Sequence, residues 1–240
     1  MTDAPGAAYL PNAAMLAAQG GFPTLRPRDA ATLLLLRRDR GKTQVLSGRR
    51  SDKHKFMPGV YVFPGGRRDP TDSRIPVSGS IAETIARKLA YKSGARMTEA
   101  RMRALAVAAI RETYEEVGLT IGAPHANPKA ALPFIPDISA LRLVGRAITP
   151  PGRSRRFDTR FFALFADEVN LDLAGLRPSA ELETLEWVNV DAIGDLKMPG
   201  ITLAILADIN AMLKISPELS FDLSVPFYYM RGGKFVREEI

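Results

Sequence analysis

The segment from Thr98 to Gly118 constrains this chain more than any other, because it reads as a long helix with a marked start, a marked stop and an acidic last turn. Thr98 can cap the first turn with its hydroxyl, and Gly118 can close the last one in the left-handed conformation. Between them Val107, Ile110, Tyr114 and Val117 recur at spacings of three, four and three, an apolar stripe that needs a sheet or another helix to cover it. Ala108 and Ala109 allow a close approach of backbone or phosphate, although simple helix propensity explains them equally well. Glu112, Glu115 and Glu116 stand off the stripe at i, i+3 and i+4, so their side chains are expected to converge within about one turn. Glu115 and Glu116 also sit where the helix dipole disfavours negative charge. Such a cluster repels itself unless a cation joins it, and a hard divalent ion, Mg2+ or Mn2+, suits carboxylate oxygens. Arg111 lies four residues before Glu115 and is placed to brace it.

Strand patterns flank this helix. Residues 30–38, with the unbroken run Leu33 to Leu36, read as a buried strand, far too short an apolar run to span a membrane. Asp39-Arg40-Gly41-Lys42 then turns the chain into a returning strand over 43–49. A short strand over 60–63 is stopped by Pro64-Gly65-Gly66, a turn that leaves backbone open to a ligand. Residues 81–91 have helical periodicity, and 141–149, 159–166 and 183–190 read as strands. Asp191 suits the cap of a short helix over 192–196, and Pro199-Gly200 precedes an amphipathic helix over 201–213. Residues 1–28, rich in Ala, Pro and Gly, are taken as a loosely packed N-terminal arm, and 29–240 as one domain. Strands and helices mix without a regular βαβ rhythm. The expected class is therefore α/β in the broad sense, or α+β, with an antiparallel or mixed central sheet flanked by helices.

Charge points to the kind of partner. The 33 Lys and Arg outnumber the 26 Asp and Glu, giving a net charge of +7 that faces either solvent or acidic ligands such as phosphates. Arg153, Arg155, Arg156 and Arg160, beside Pro150-Pro151-Gly152, look like an anion-gripping loop. The absence of cysteine excludes disulfides and thiolate metal sites, and the N-terminus lacks the pattern of a signal peptide, so a cytoplasmic location is expected. His54 and His125 read as exposed or structural, and Trp187, Phe161, Phe162 and Phe165 as core.

Gly66 together with R-E-T-Y-E-E-V-G-L at 111–119 resembles the Nudix box, G-x5-E-x7-R-E-U-x-E-E-x-G-U with U aliphatic. Thr113 departs, standing where a bulky aliphatic is usual. Gly66 and Arg111 are 45 positions apart, where the pattern has 14, so about 31 residues are inserted within the box, in the segment of about 70–100. Counting back eight from Arg111 reaches Arg103, and counting forward six from Gly66 reaches Asp72; Asp72, Glu83 and Glu99 stay open as the first carboxylate. The runs 45–66 and 148–164 are similar to the coenzyme A and acyl-coenzyme A diphosphatase branch of the Nudix hydrolases.

The resemblance implies an α/β/α sandwich and a metal-dependent hydrolase cleaving a diphosphate within a nucleoside-diphosphate derivative, coenzyme A or acyl-coenzyme A first. It implies Glu112, Glu115 and Glu116 as ligands of Mg2+ or Mn2+, with Arg111 completing the catalytic set. Arg49, Arg50, Gly65, Gly66 and Arg156 are the substrate-binding candidates, with Lys55 beside them. The general base is a box glutamate or a distant carboxylate, for which Glu181 and Glu183 are the candidates. A Nudix hydrolase of ADP-ribose, nucleotide sugars or dinucleoside polyphosphates is the alternative. A non-catalytic nucleotide sensor or nucleic-acid binder ranks last, because the box carboxylates are all present and no helix-turn-helix follows residue 200. The expected partner is a small-molecule diphosphate, with no membrane. The insertion has three candidate roles: a lid, a homodimer contact or surface decoration.

Overall fold

The apolar run at 33–36 forms the middle of β1 (Arg28–Asp39), a strand covered on both faces: residues 30–36 are buried, Thr32 alone being half-buried. A computed structural model describes residues 4–10, 21–53, 57–192 and 197–240. Arg40 and Gly41, both with positive φ, turn β1 into antiparallel β2 (Lys42–Arg50). Next come β3 (Tyr61–Val62), β4 (Gly65–Arg67), β5 (Gly122–Pro124), β6 (Phe134–Pro136), β7 (Arg142–Ile148), β8 (Phe157–Phe165) and β9 (Leu182–Asn189). β10 (Pro226–Arg231) and β11 (Lys234–Glu239) complete the strands. The central sheet runs β11-β10-β7-β8-β1-β2-β3, with β4 added to β1 and β9 to β2. The β1–β8 and β10–β7 pairs are parallel and the others antiparallel, so the sheet is mixed as expected.

Three α-helices are present among the described residues: α1 (Glu83–Ala90), α2 (Glu99–Val117) and α3 (Gly200–Ile215). The α2 ends are those the sequence implies. Thr98 Oγ1 accepts from the Arg101 N–H at 3.3 Å, and Gly118, at φ 81°, donates to the Tyr114 carbonyl at 2.9 Å. Its burial is wider than a single stripe, since every residue from 104 to 110 is buried. Ala108 and Ala109 are thus packing residues that let the helix lie close on the sheet. Thr113, fully buried, donates its hydroxyl to the Ala109 carbonyl at 2.8 Å and so leaves no unpaired polar atom.

Alternation along the strands puts α2 and α3 on opposite faces. Gly66, paired with Ala31, faces Glu112 of α2, whereas Gly145 of β7 faces Ile205 of α3. The architecture is a mixed sheet between helices.

Some elements differ from the sequence expectation. Neither the β10–β11 hairpin around Gly232 and Gly233 nor the small β5–β6 sheet is among the elements expected from the sequence. Part of the N-terminal arm is packed rather than loose: Pro5–Tyr9 is a 3-10 turn on α3, where the Gly6 N–H donates to buried Asp208 at 3.3 Å. The short helix proposed over 192–196 falls almost wholly outside the described residues, as do His54 and Lys55. No described helix is long and apolar enough to cross a membrane.

Candidate active site

The site is built where β4 meets the second half of α2. A Cβ added at Gly66 would stand 2.5–2.6 Å from the Glu112 carboxylate, so any side chain here would push that carboxylate from its place. One residue earlier the Gly65 N–H donates to Glu116 Oε2 at 3.0 Å. A side chain at Gly65 would meet the Ala31 carbonyl and Thr32 at 2.6 Å. The turn that sequence reasoning left open to a ligand therefore cradles two of the three glutamates.

Arg111 organises the acidic side. Its Nε donates to Asp72 Oδ1 at 2.8 Å, and its Nη1 reaches Glu112 at 3.0 Å and Glu115 at 2.9 Å. Its Nη2 donates to the Arg67 carbonyl at 3.2 Å. Asp72 is fully buried and also accepts from the Asp69 N–H at 2.7 Å. Of the three candidates for the first box carboxylate, Asp72 is the one brought to Arg111; Glu83 and Glu99 open α1 and α2. The glutamates do not all converge. Glu115 is half-exposed and turned to Arg111, while Glu112 and Glu116 point inward.

Burial controls the charge of that inner pair. It pushes the Glu116 carboxyl up to about 8, against the opposing Gly65 hydrogen bond, and the negative charges of Glu181 and Glu112 raise it further. Burial raises Glu112 as well, opposed by Arg111. Burial thus disfavours the charged form of both inner carboxyls. Among the described residues, no group of three acidic or histidine side chains is gathered closely enough to enclose an ion.

The model of the NUDIX domain family matches residues 26–207. The chain belongs to the Nudix family. It is a Nudix-type pyrophosphatase acting on a small-molecule substrate, and enzymes of this family generally use divalent metal ions. Its fold is similar to that of a NUDIX hydrolase from Alicyclobacillus acidocaldarius, with 28% identity over 75% of this chain and 90% of that one and a TM-score of 0.55. RenU, a Nudix hydrolase of M. smegmatis, has 18% identity over 79% and 88% of the two chains and a TM-score of 0.46. The NUDIX domain of Shewanella oneidensis NrtR, solved with ADP ribose, has 12% identity over 85% and 99%, with a TM-score of 0.47.

The other candidate residues of this Nudix hydrolase separate into those near the acid cluster and those held elsewhere. Arg50, at the end of β2, pairs with Glu181 at 2.7 Å, and Glu181 bears electrostatically on both Glu112 and Glu116. Glu183 instead accepts from Ser51 at 2.5 Å and lies 3.7 Å from Arg49, whose main partner is Asp52 at 2.8 Å. Arg156 donates to the carbonyls of Thr149 at 2.9 Å and Leu25 at 2.5 Å, pinning residues 25–28 beside β8. Arg160 does not belong to the arginine loop: it is buried in β8 and paired with Asp158 at 2.8 Å. His125 takes part in a turn, accepting from the Asn127 N–H at 2.9 Å. Phe162 and Phe165 are core, and Trp187 is half-buried beneath Arg37.

Beyond the cluster, on the face of the sheet opposite α2, a groove runs from Gly65 and Arg50 past Val62, Phe63, Phe161 and Ile201. Phe161 was expected only as core, yet it also lines this groove. Sequence reasoning missed the groove because its walls come from many distant segments, and alternation within one strand gives no sign of which neighbours it will meet.

Proposed function

We propose that this Nudix hydrolase cleaves the diphosphate of coenzyme A or an acyl-coenzyme A, working with Mg2+ or Mn2+. The observation that carries this reading is the position of β4, with Gly66 beneath the box carboxylates and adjacent Gly65 lining a long, largely apolar groove. A substrate whose diphosphate lies at the carboxylates can lay a flexible, weakly polar arm along that groove. A pantetheine or acyl arm matches its walls better than a second sugar or nucleoside would.

Two inner carboxylates suit a hard divalent ion in donor chemistry, although the described side chains do not by themselves enclose one. Glu112 and Glu116 offer buried carboxylate oxygens whose charged form burial disfavours and a cation would restore, with Glu115 at the exposed edge. When bound, such an ion shields the diphosphate and lowers the pKa of a water it carries. Arg111 holds Glu112 and Glu115 in place, and Asp72 holds Arg111. Asp72 thereby takes the position of the first box carboxylate, six residues after Gly66, and the extra residues of the box follow it. Glu181 is the better candidate for the general base than Glu183, because it bears on the inner glutamates while Glu183 is held by Ser51. In the cleavage the oxygen of water bonds to one phosphorus, the bond from that phosphorus to the bridging oxygen breaks, and Glu181 takes the proton.

A panel of coenzyme A, an acyl-coenzyme A, ADP-ribose, a nucleotide sugar and a dinucleoside polyphosphate, each with Mg2+ and with Mn2+, tests this reading. Release of adenosine 3′,5′-bisphosphate and a phosphopantetheine at the highest kcat/KM is the expected result. A higher kcat/KM for ADP-ribose or the dinucleoside polyphosphate refutes it.

A further inference from the structure

A concentration of positive charge lies beside the acid cluster. Arg26 and Arg28 at the entry to β1, Arg67 at the end of β4 and Arg96 before α2 line one trough, with Arg68 and Arg101 deeper in it. The deeper pair shares a single buried carboxylate, Asp29, at 3.1 and 2.6 Å. Asp29 also faces buried Arg160 at 3.8 Å, and Asp158 serves both Arg160 and Arg146 at 2.8 Å. Four guanidinium groups, Arg68, Arg101, Arg146 and Arg160, therefore meet two carboxylates, which leaves an excess of two positive charges within this linked network. Arg160 Nε is buried and, among the described residues, has no hydrogen-bond acceptor.

The rim adds to this excess. Arg26, Arg28, Arg67 and Arg96 are exposed, and none of their guanidinium groups makes an ion pair or hydrogen bond among the described residues. Merely solvating arginines repel one another and spread over a surface. Here the fold draws them from three separate segments to one concavity, beside a buried network that already carries excess positive charge. A phosphate dianion, which guanidinium groups bind in a forked geometry, reverses that cost.

The trough also communicates with the site. The Arg67 carbonyl accepts from Arg111, and Arg67 follows Gly66 directly, so trough and acid cluster are one residue apart along β4. Arg155 and Phe157 line both the neighbouring part of the trough and the apolar groove.

We propose that Arg26, Arg28, Arg67 and Arg96 form a phosphate subsite that recognises a phosphomonoester on the nucleoside half of the substrate. The proposal rests on the diphosphatase reading above and deepens it, assigning part of the specificity to residues outside the box and to the stretch between Asp72 and α2.

Binding of adenosine 3′,5′-bisphosphate, 5′-AMP and inorganic phosphate to the full chain, measured calorimetrically in chelator, reads the subsite without turnover. The intact protein is expected to hold the bisphosphate at least about tenfold more tightly than AMP, and R26A/R28A/R96A to bring that ratio close to one. R96K on a R26K/R28K background should recover part of the preference, and R37A, at the opposite end of β1 from the trough, should leave it intact. A triple variant that keeps the ratio, or weakens both nucleotides equally, overturns the proposal. Equal kcat/KM for coenzyme A and its 3′-dephospho form, with inorganic phosphate still bound in an arginine-dependent way, also overturns it, because the trough then serves a free anion. Cleavage of other diphosphates in preference to coenzyme A sinks the proposed function alone, since the two-nucleotide ratio is measured without hydrolysis.

Discussion

Replacing Asp72 by Ala tests both the fold of the box and its assembly from distant segments. The Asp72 side chain is fully buried and accepts from Arg111 Nε at 2.8 Å, from Arg111 Nη2 at 3.3 Å and from the Asp69 N–H at 2.7 Å. Breaking a buried ion pair by removing one partner costs about 3–5 kcal/mol when the remaining charge is stranded. Arg111 is not wholly stranded, because Glu112 and Glu115 stay within 3.0 Å, which reduces the electrostatic loss. The freed Asp69 N–H adds back about 1 kcal/mol for a lost turn hydrogen bond. A net loss of about 3 kcal/mol follows, a fall in Tm of about 6–12 °C for a chain of this size. Asp72→Asn keeps an oxygen for Arg111 and should lose about half as much. Turnover should fall further than stability implies, by about tenfold or more even well below the new Tm, because Arg111 no longer fixes Glu112 and Glu115. Calorimetry and steady-state kinetics on both variants decide the matter. A D72A protein with unchanged Tm and kcat would refute the reasoning that this carboxylate anchors the box arginine.

Other perturbations separate chemistry from scaffold. Gly66→Ala puts a methyl within 2.6 Å of the Glu112 carboxylate, a flexible side-chain end, so kcat/KM should drop by about 10–100-fold with little change in Tm; an active G66A protein would mean that Glu112 need not sit there. Glu181→Gln should lower kcat by about a hundredfold or more and Glu183→Gln by less than about twofold, and the reverse ranking in a pH–rate comparison would exchange their roles. In chelator, the raised carboxyls of Glu116, at about 8, and Glu112 mean that the folded chain binds protons the unfolded chain releases above its ordinary 4.5. Stability from these groups is therefore full below that value and is lost as pH rises toward 8, by an amount on the order of a few kcal/mol. Melting curves should show a falling Tm across this window, flattened by Glu116→Gln and recovered with Mg2+ or Mn2+; a rising Tm in chelator would contradict the sign.

What could be read in the sequence is what local physics decides. The caps of α2, the β1–β2 hairpin and the long strands follow from Thr98, Gly118, Gly41 and unbroken apolar runs, all signals carried within a few residues. The β10–β11 hairpin escaped although Gly232-Gly233 is a local turn signal. Its strands, Pro-Phe-Tyr-Tyr-Met-Arg and Lys-Phe-Val-Arg-Glu-Glu, lack a regular apolar–polar alternation, and β10 joins the sheet through a parallel pairing with β7 far back in the chain. The convergence of the three glutamates was overstated for a related reason. Helical spacing puts Glu112, Glu115 and Glu116 on neighbouring positions, but it cannot show that Arg111 takes Glu115 outward while β4 draws Glu116 in.

The charge of the chain illustrates how far composition carries an argument. A surplus of seven positive charges is a statement about the whole molecule, and the loop of Arg153, Arg155, Arg156 and Arg160 was the natural place to look for its use. Folding breaks that group up: Arg160 is buried on Asp158, and Arg156 is spent on the carbonyls of Thr149 and Leu25. Yet by tying down residues 25–28, Arg156 holds Arg26 and Arg28 beside Arg67, which no spacing rule connects. A residue chosen as a phosphate ligand thus acts as a positioner of others. Its replacement by Ala should lower the bisphosphate-over-AMP ratio as R26A/R28A/R96A does while also loosening residues 25–28 to hydrogen exchange, and a lowered ratio without that loosening would return Arg156 to direct contact with the ligand.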